Sequence, residues 1–264
     1  MRVTVPYVRE SMQAPGFSAD WYRAITEFAD GLPSWVHVVA EIGTDAGLLL
    51  FAALFVAGWW RARGGTDQAM ILALAAPFAV VAAYLVSEVS KTFLEEERPC
   101  RAVADAANIV ACPAPGDWSF PSNHATIAAA SAAVIVVAWR SMAAVVLPLA
   151  ALMAFSRVFV GVHYPHDVAA GFVLGVTVAP VVVLVMARLL APAVEPMRAW
   201  PGAAFLLGPS PAFLDRAPVP APARAVPGGI AAPTAAPTAA PSMAAETLPD
   251  VMSGTGRDGH YPPA

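Results

Sequence analysis

The sequence predicts an all-α fold, a polytopic transmembrane helical bundle, and three observations carry that prediction. Apolar residues make up 58% of the chain and charged residues only 13%, where an ordinary globular domain carries charge on roughly a quarter of its positions. The mean hydropathy is +0.62. The apolar residues are also gathered into long runs between positions 46 and 190. A chain so poor in charge takes the bilayer as its solvent, and in hydrocarbon a helix satisfies its own backbone hydrogen bonds. The membrane is therefore the first expected partner. A net charge of −4 with no basic block gives no footprint for nucleic acid.

The elements follow in order. Positions 1–20 lack the basic-then-apolar pattern of a cleavable signal peptide, so insertion is expected to rely on internal spans. At 21–30, apolar positions recur at near-helical spacing among charges, and Trp21 and Tyr22 suit a helix lying at the membrane interface. Five apolar runs follow at 46–60, 69–87, 125–139, 142–162 and 168–190. The first and third fall short of the about 20 residues a span needs and are expected to borrow length from their flanks. For the first, that start lies in 35–45, which draws Glu41 and Asp45 to the interface or a protein-lined interior. Pro77, Pro148 and Pro180 should kink their helices without ending them. The expected organisation is a leading segment at 1–43, a transmembrane catalytic domain at 44–191 and a disordered Ala/Pro-rich tail at 192–264, too poor in large apolar residues to build a core.

Three polar fragments interrupt this greasy background: Lys91-x6-Arg98-Pro99, Pro121-Ser122-Asn123-His124 and Ser156-Arg157-x5-His163-x3-Asp167. If the runs alternate direction, all three fragments fall on one membrane face. Arg61, Arg63, Arg140 and Arg188 fall on the other, and the positive-inside rule assigns that face to the cytoplasm. The fragments then face the extracytoplasmic side of the cell membrane, with the C-terminal tail in the cytoplasm.

Their residue types suit phosphate chemistry without a metal or cofactor. Lys91, Arg98 and Arg157 grip non-bridging oxygens, arginine as a planar fork and lysine as a point charge. Ser122 adds a hydroxyl, Asn123 an amide, and the third run presents the N–H groups of a helix N-terminus. One histidine must attack phosphorus as neutral imidazole and another must protonate the leaving oxygen. Asp167, four residues beyond His163, can hold the far nitrogen of that ring, which makes His163 the nucleophile and His124 the acid. No His/Cys cluster has metal-ligand spacing.

These fragments resemble the signature of the type 2 phosphatidic acid phosphatase superfamily, KxxxxxxRP, PSGH and SRxxxxxHxxxD, over about 69–190. The first and third match at every specified position; in the second, Asn123 stands where glycine is usual. The resemblance implies a membrane lipid phosphatase working through a phosphohistidine. It implies phosphate binding by Lys91, Arg98, Ser122 and Arg157, with His124, His163 and Asp167 catalytic. The compact plan is most similar to bacterial undecaprenyl-diphosphatases of the family, so the expected substrate is a polyprenyl diphosphate, with Arg101 as a candidate for its second phosphate. Phosphatidic acid or phosphatidylglycerol phosphate is the alternative within the enzyme class. A catalytically silent protein that binds or transports a lipid phosphate is the alternative outside it, although binding alone requires neither histidine.

Neighbouring residues receive plainer readings. His166 is expected at the interface, His37 and His260 are taken as incidental, and Glu95, Glu96 and Glu97 as a solvated helix end with one of them able to pair with Arg101. Cys100 and Cys112 lie in one outward loop, as a disulfide or as two free thiols.

Overall fold

The computed structural model describes residues 13–208. Positions 1–12 of the leading segment and positions 209–264 of the expected tail, His260 among them, lie outside them. Eight α-helices are described: α1 (Gly16–Asp30), α2 (Ser34–Ala62), α3 (Asp67–Leu94), α4 (Pro99–Ala102), α5 (Asn123–Ala138), α6 (Ala143–Phe159), α7 (Pro165–Ala199) and α8 (Ala204–Leu207). Four segments, Ser34–Ala62, Asp67–Ala102, Arg140–Phe159 and Pro165–Val194, are long and apolar enough to cross a membrane, and α5 is a shorter apolar helix. Each expected run is thus a helix. The first gains its missing length from the N-terminal side, as expected, because α2 begins at Ser34. Pro77, Pro148 and Pro180 all lie inside continuous helices.

The bundle is built around α5. Its Ala125, Ala128, Ala129, Ala130, Ala132 and Val134 are fully buried, and α3, α6 and α7 pack closely around it, with α2 adding a further wall. Such a helix is apolar on every side because protein surrounds it. Small residues let the backbones approach: a Cβ on Gly171 would stand 2.4 Å from the Ser122 carbonyl oxygen, and one on Gly175 would stand 2.4 Å from that of Thr126. Close helix contact of this kind is how association proceeds where lipid removes the hydrophobic drive. Outward faces carry Leu49, Val56, Phe78, Val81, Leu152, Val181 and Leu189, all exposed, as lipid-facing side chains should be.

Two expectations change here. Tyr22 does not sit at a lipid interface: it is fully buried, and its hydroxyl donates to the Gly161 carbonyl at 2.9 Å. Helix α1 turns Ser18, Tyr22, Thr26 and Ala29 inward at helical spacing and leaves Phe17, Trp21 and Phe28 exposed, so it packs across the ends of α6 and α7 as well as facing outward. The helical core also runs past position 191. Helix α7 continues to Ala199, and Arg198 donates to the carbonyls of Leu207, Gly65 and Ala62 and to Asp67. The missed signal is a buried arginine in a segment whose prolines and alanines read as tail.

Candidate active site

The three polar fragments meet at one end of the bundle. Lys91 comes from the last turn of α3, Arg98 from the stretch joining α3 to α4, Ser122 caps α5 and His124 lies in its first turn. Arg157 lies in the last turn of α6, His163 in the α6–α7 connection, and Asp167 in the first turn of α7. That connection reverses at Gly161, whose φ of +87° suits glycine, and a side chain there would strike Asn108 at 2.7 Å.

His163 and Asp167 form the buried centre, 2% and 0% exposed. His163 Nδ1 lies 3.3 Å from Asp167 Oδ2 and 3.4 Å from Ser119 Oγ, while Nε2 accepts from Arg98 at 3.1 Å. Asp167 Oδ2 also accepts from the Tyr164 backbone N–H at 2.8 Å and from the Ser119 hydroxyl. The Asp167 carbonyl in turn accepts from Ser122 N–H at 3.1 Å, tying the start of α7 to that of α5. Burial, reinforced by the charges of Arg98, Arg157 and Lys91, holds the His163 pKa well below the ordinary imidazole value. Nε2 therefore stays unprotonated, its lone pair turned to the Arg98 guanidinium.

The cations surround this ring. Arg98 donates through Nε to the Asp117 carbonyl at 2.9 Å, through NH2 to the Asp117 carboxylate at 2.8 Å and through NH1 to the Val162 carbonyl at 3.1 Å. Lys91 Nζ stands 3.8 Å from the same Asp117 oxygen and 3.3 Å from Glu88. Burial would raise the Asp117 pKa, but the Arg98 hydrogen bond and charge, with Lys91 and Arg101, bring it below the usual carboxylate value. Arg157 donates to Thr44 Oγ1 at 2.9 Å and lies 3.9 Å from Asp45, and Asp45 meets His124 Nε2 at 3.0 Å. Ser122 Oγ and Arg157 Nε are buried and make no hydrogen bond, which leaves two donors that an anion could use.

Asn123 lies apart from this cradle. Its side chain accepts from Ser87 Oγ at 2.7 Å and donates to Glu88, which is the carboxylate beside Lys91. It reaches Lys91 only through Glu88. Arg101 likewise points elsewhere, to Glu97 and the carbonyls of Pro113 and Ala114, in a loop closed by the Cys100–Cys112 disulfide. Glu96 is not a solvated helix end: it is 1% exposed and meets His166. Asp117 and Ser119 were not singled out in the sequence. Pro115-Gly116-Asp117 signals a turn, but nothing in its spacing announces that the turn folds onto Arg98.

Residues 72–190 match the PAP2 superfamily. The chain is 37% identical over 98 residues to an undecaprenyl-diphosphatase from Sulfolobus acidocaldarius, covering 36% of this chain and 46% of that protein. It is 38% identical over 100 residues to a decaprenylphosphoryl-5-phosphoribose phosphatase from Mycobacterium tuberculosis, covering 38% of this chain and 53% of the relative. The chain thus spans about half the length of the curated relatives it matches. The crystal structure of Aquifex aeolicus LpxE superposes with a TM-score of 0.52 at 20% identity, over 66% of this chain and 99% of that one, and shows the shared fold. Lys91, His124, Arg157 and Asp167 all lie within the matched region, and the chain carries a PAP2 superfamily domain over residues 72–190.

Proposed function

We propose that this chain is an integral-membrane hydrolase of lipid phosphates, with His163 as nucleophile, Asp167 as its partner and His124 as acid. The observation that carries the reading is the pairing of His163 between Asp167 Oδ2 and Arg98. Nδ1 faces a carboxylate, so the lone pair is directed from Nε2 into the cationic surround. In the first step the bond from Nε2 to phosphorus forms as the bond to the leaving oxygen breaks, and His124 passes its proton to that oxygen. Water then attacks the phosphohistidine, giving its proton to His124 and releasing phosphate and neutral His163. Lys91, Arg98 and Arg157, with Ser122 Oγ and the α5 N-terminus, stabilise the charge on the equatorial oxygens. Asp45 sets the His124 ring, and Asn123 acts on Lys91 through Glu88.

A lipid substrate is supported by an apolar cavity of about 310 Å³ between α2 and α6, lined by Val36, Val39, Gly43, Leu152 and Phe155 and reaching Thr44 and Ser156. Thr44 accepts from Arg157, so one wall of the cavity is a residue that holds a phosphate-binding side chain of the proposed site. A polyprenyl diphosphate is the substrate class we assign, in keeping with the polyprenyl names of both curated relatives. The commitment of Arg101 to its own loop favours a second reading, a polyprenyl-linked phosphomonoester. The disulfide at the site's end and, at the other end, Arg61 and Arg63 over their tryptophans with Arg198 nearby support an extracytoplasmic site and a cytoplasmic tail. On this reading the catalytic domain is centred on 44–191, with α2 and α7 extending it at either end.

The test is phosphate release in detergent with EDTA, comparing undecaprenyl diphosphate, decaprenylphosphoryl phosphoribose and phosphatidate. Release from a polyprenyl substrate, lost in His163→Ala and His124→Ala, is expected. Release from phosphatidate alone contradicts the substrate class. Unchanged release in both variants contradicts the mechanism.

A further inference from the structure

Asp167 has two faces, and the mechanism above uses one. Oδ2 collects His163, Ser119 and the Tyr164 backbone N–H. Oδ1 is buried without a hydrogen bond, yet it lies 3.2 Å from His166 Nε2. The same nitrogen stands 3.1 Å from Glu96, whose carboxylate is 1% exposed. On the other side of the ring, His166 Nδ1 lies 2.8 Å from Ser18 Oγ on α1, and the rings of Phe120 and Tyr164 flank it at 5.6 and 5.5 Å between centroids. Two fully enclosed carboxylates thus share one imidazole, and no other cationic side chain touches Glu96 among the described residues.

We propose that Glu96 and His166 form a positioning pair behind Asp167, resting on the function given above. Neither touches substrate. An imidazolium at His166 donates from Nδ1 to Ser18 and from Nε2 to the carboxylates. It lets Asp167 remain ionised in a dry pocket, where an isolated carboxylate would take up a proton. Glu96 holds that imidazolium in register and balances its charge. The ionised Asp167 then stabilises the positive charge that develops on His163 as its Nε2 bonds to phosphorus. Charge alternates along the line Glu96, His166, Asp167, His163. Ser18 makes α1 the outer end of the line, which gives the N-terminal helix a part in the chemistry beyond its packing.

The test uses the full chain in detergent with undecaprenyl diphosphate and phosphatidate, in wild type, Glu96→Gln, His166→Gln and Ser18→Ala, with Glu97→Gln as a control. The first two should lose roughly 10- to 100-fold in kcat, the range carried by outer partners of functional histidines. KM and the inhibition constant of inorganic phosphate should stay within about 3-fold, because the phosphate cations are untouched. Ser18→Ala should lose less, and Glu97→Gln should match wild type. Melting temperatures are read alongside. Wild-type kcat in both Glu96→Gln and His166→Gln overturns the proposal. So does a fall in kcat matched by the phosphate constant or by a lowered Tm, which would be a structural effect. Activity abolished by EDTA and restored by zinc in wild type alone would make Glu96, His166 and Asp167, whose ligand atoms lie within 4.8 Å of one another, a metal site instead. A wild type that releases no phosphate overturns the proposed function and this role together, whereas active wild type with active variants overturns this role alone.

Discussion

At one end of the bundle Arg198 gives its donors to the carbonyls of Leu207, Gly65 and Ala62 and to Asp67 at 2.7 Å. At the other end Arg157, also buried, bonds Thr44, lies 3.9 Å from an exposed Asp45, and leaves Nε without an acceptor. Both arginines stand in the last turns of their helices, where a cation suits the helix dipole. Their partners differ. Arg198 is satisfied by protein and locks α7 to the α2–α3 turn. Arg157 and its neighbours Lys91 and Arg98 are met by the carboxylates Asp45, Glu88 and Asp117, and on the proposed function a substrate phosphate takes the place of Asp45 and Asp117. Arg63 shows a third use: its Nε also lacks an acceptor, but its guanidinium lies 4.8 Å from the Trp60 ring centre and 5.4 Å from that of Trp59, where cation–π attraction holds it. The comparison teaches that burial of an arginine does not mark a site. Incomplete pairing beside a histidine dyad does.

The comparison breaks most readily at the dyad. His163→Ala should lower kcat by about 10³-fold or more while leaving the chain folded, since removal of a nucleophile leaves only residual catalysis; phosphate release and melting curves measure both. Arg157→Ala and Arg198→Ala should then separate the two ends. Arg157→Ala is expected to lose about 10²- to 10³-fold in kcat/KM with little change in Tm. Arg198→Ala should destabilise by about 1–3 kcal/mol, the cost of leaving the carbonyls it serves without their donor, with kcat per folded molecule unchanged. Equal effects of the two on stability would dissolve the contrast.

A smaller effect is expected in pH. Burial and, after it, the surrounding cations depress the His163 pKa, so the nucleophile stays unprotonated as pH falls below the ordinary histidine range near ~6.5. The acid limb of kcat/KM due to this group should lie below that value, and Arg98→Gln should move it upward. The stability linkage has the same sign: the unfolded chain takes up this proton first, so stability present above the unfolded pKa is lost as pH falls toward the folded one. An acid limb unmoved by Arg98→Gln would detach Arg98 from His163. Gly171→Ala should cost about 1–3 kcal/mol by forcing α5 and α7 apart, visible as a lower Tm. Asn123→Gly should be the mildest, about 1 kcal/mol through the lost Ser87 bond, with KM rather than kcat carrying the change.

Much of this was legible in the chain. Apolar runs mark each long helix because lipid-facing and core-facing positions are both greasy, and the motif spacing names Lys91, Arg98, Ser122, His124, Arg157, His163 and Asp167 because helix ends hold them at fixed offsets. The loop between α3 and α5 was not legible. Asp117 and Ser119 reach Arg98 and Asp167 through backbone turns that no periodicity encodes. Glu96 looked like one of three equivalent acids, yet only a fold can tell that Glu97 turns to Arg101 while Glu96 turns inward to His166. Asn123 shows the opposite case: its place in a motif suggested phosphate contact, and its side chain goes to α3.

The central claim is that phosphorus passes through His163. Rapid acid-free quenching of wild type turning over undecaprenyl diphosphate labelled at the terminal phosphorus, followed by peptide mapping, tests it directly. The account predicts an alkali-stable, acid-labile label on the peptide containing His163, absent in His163→Ala and trapped in greater amount when His124→Ala slows its hydrolysis. Full turnover with no labelled histidine, and inversion rather than retention of configuration at phosphorus, would contradict it.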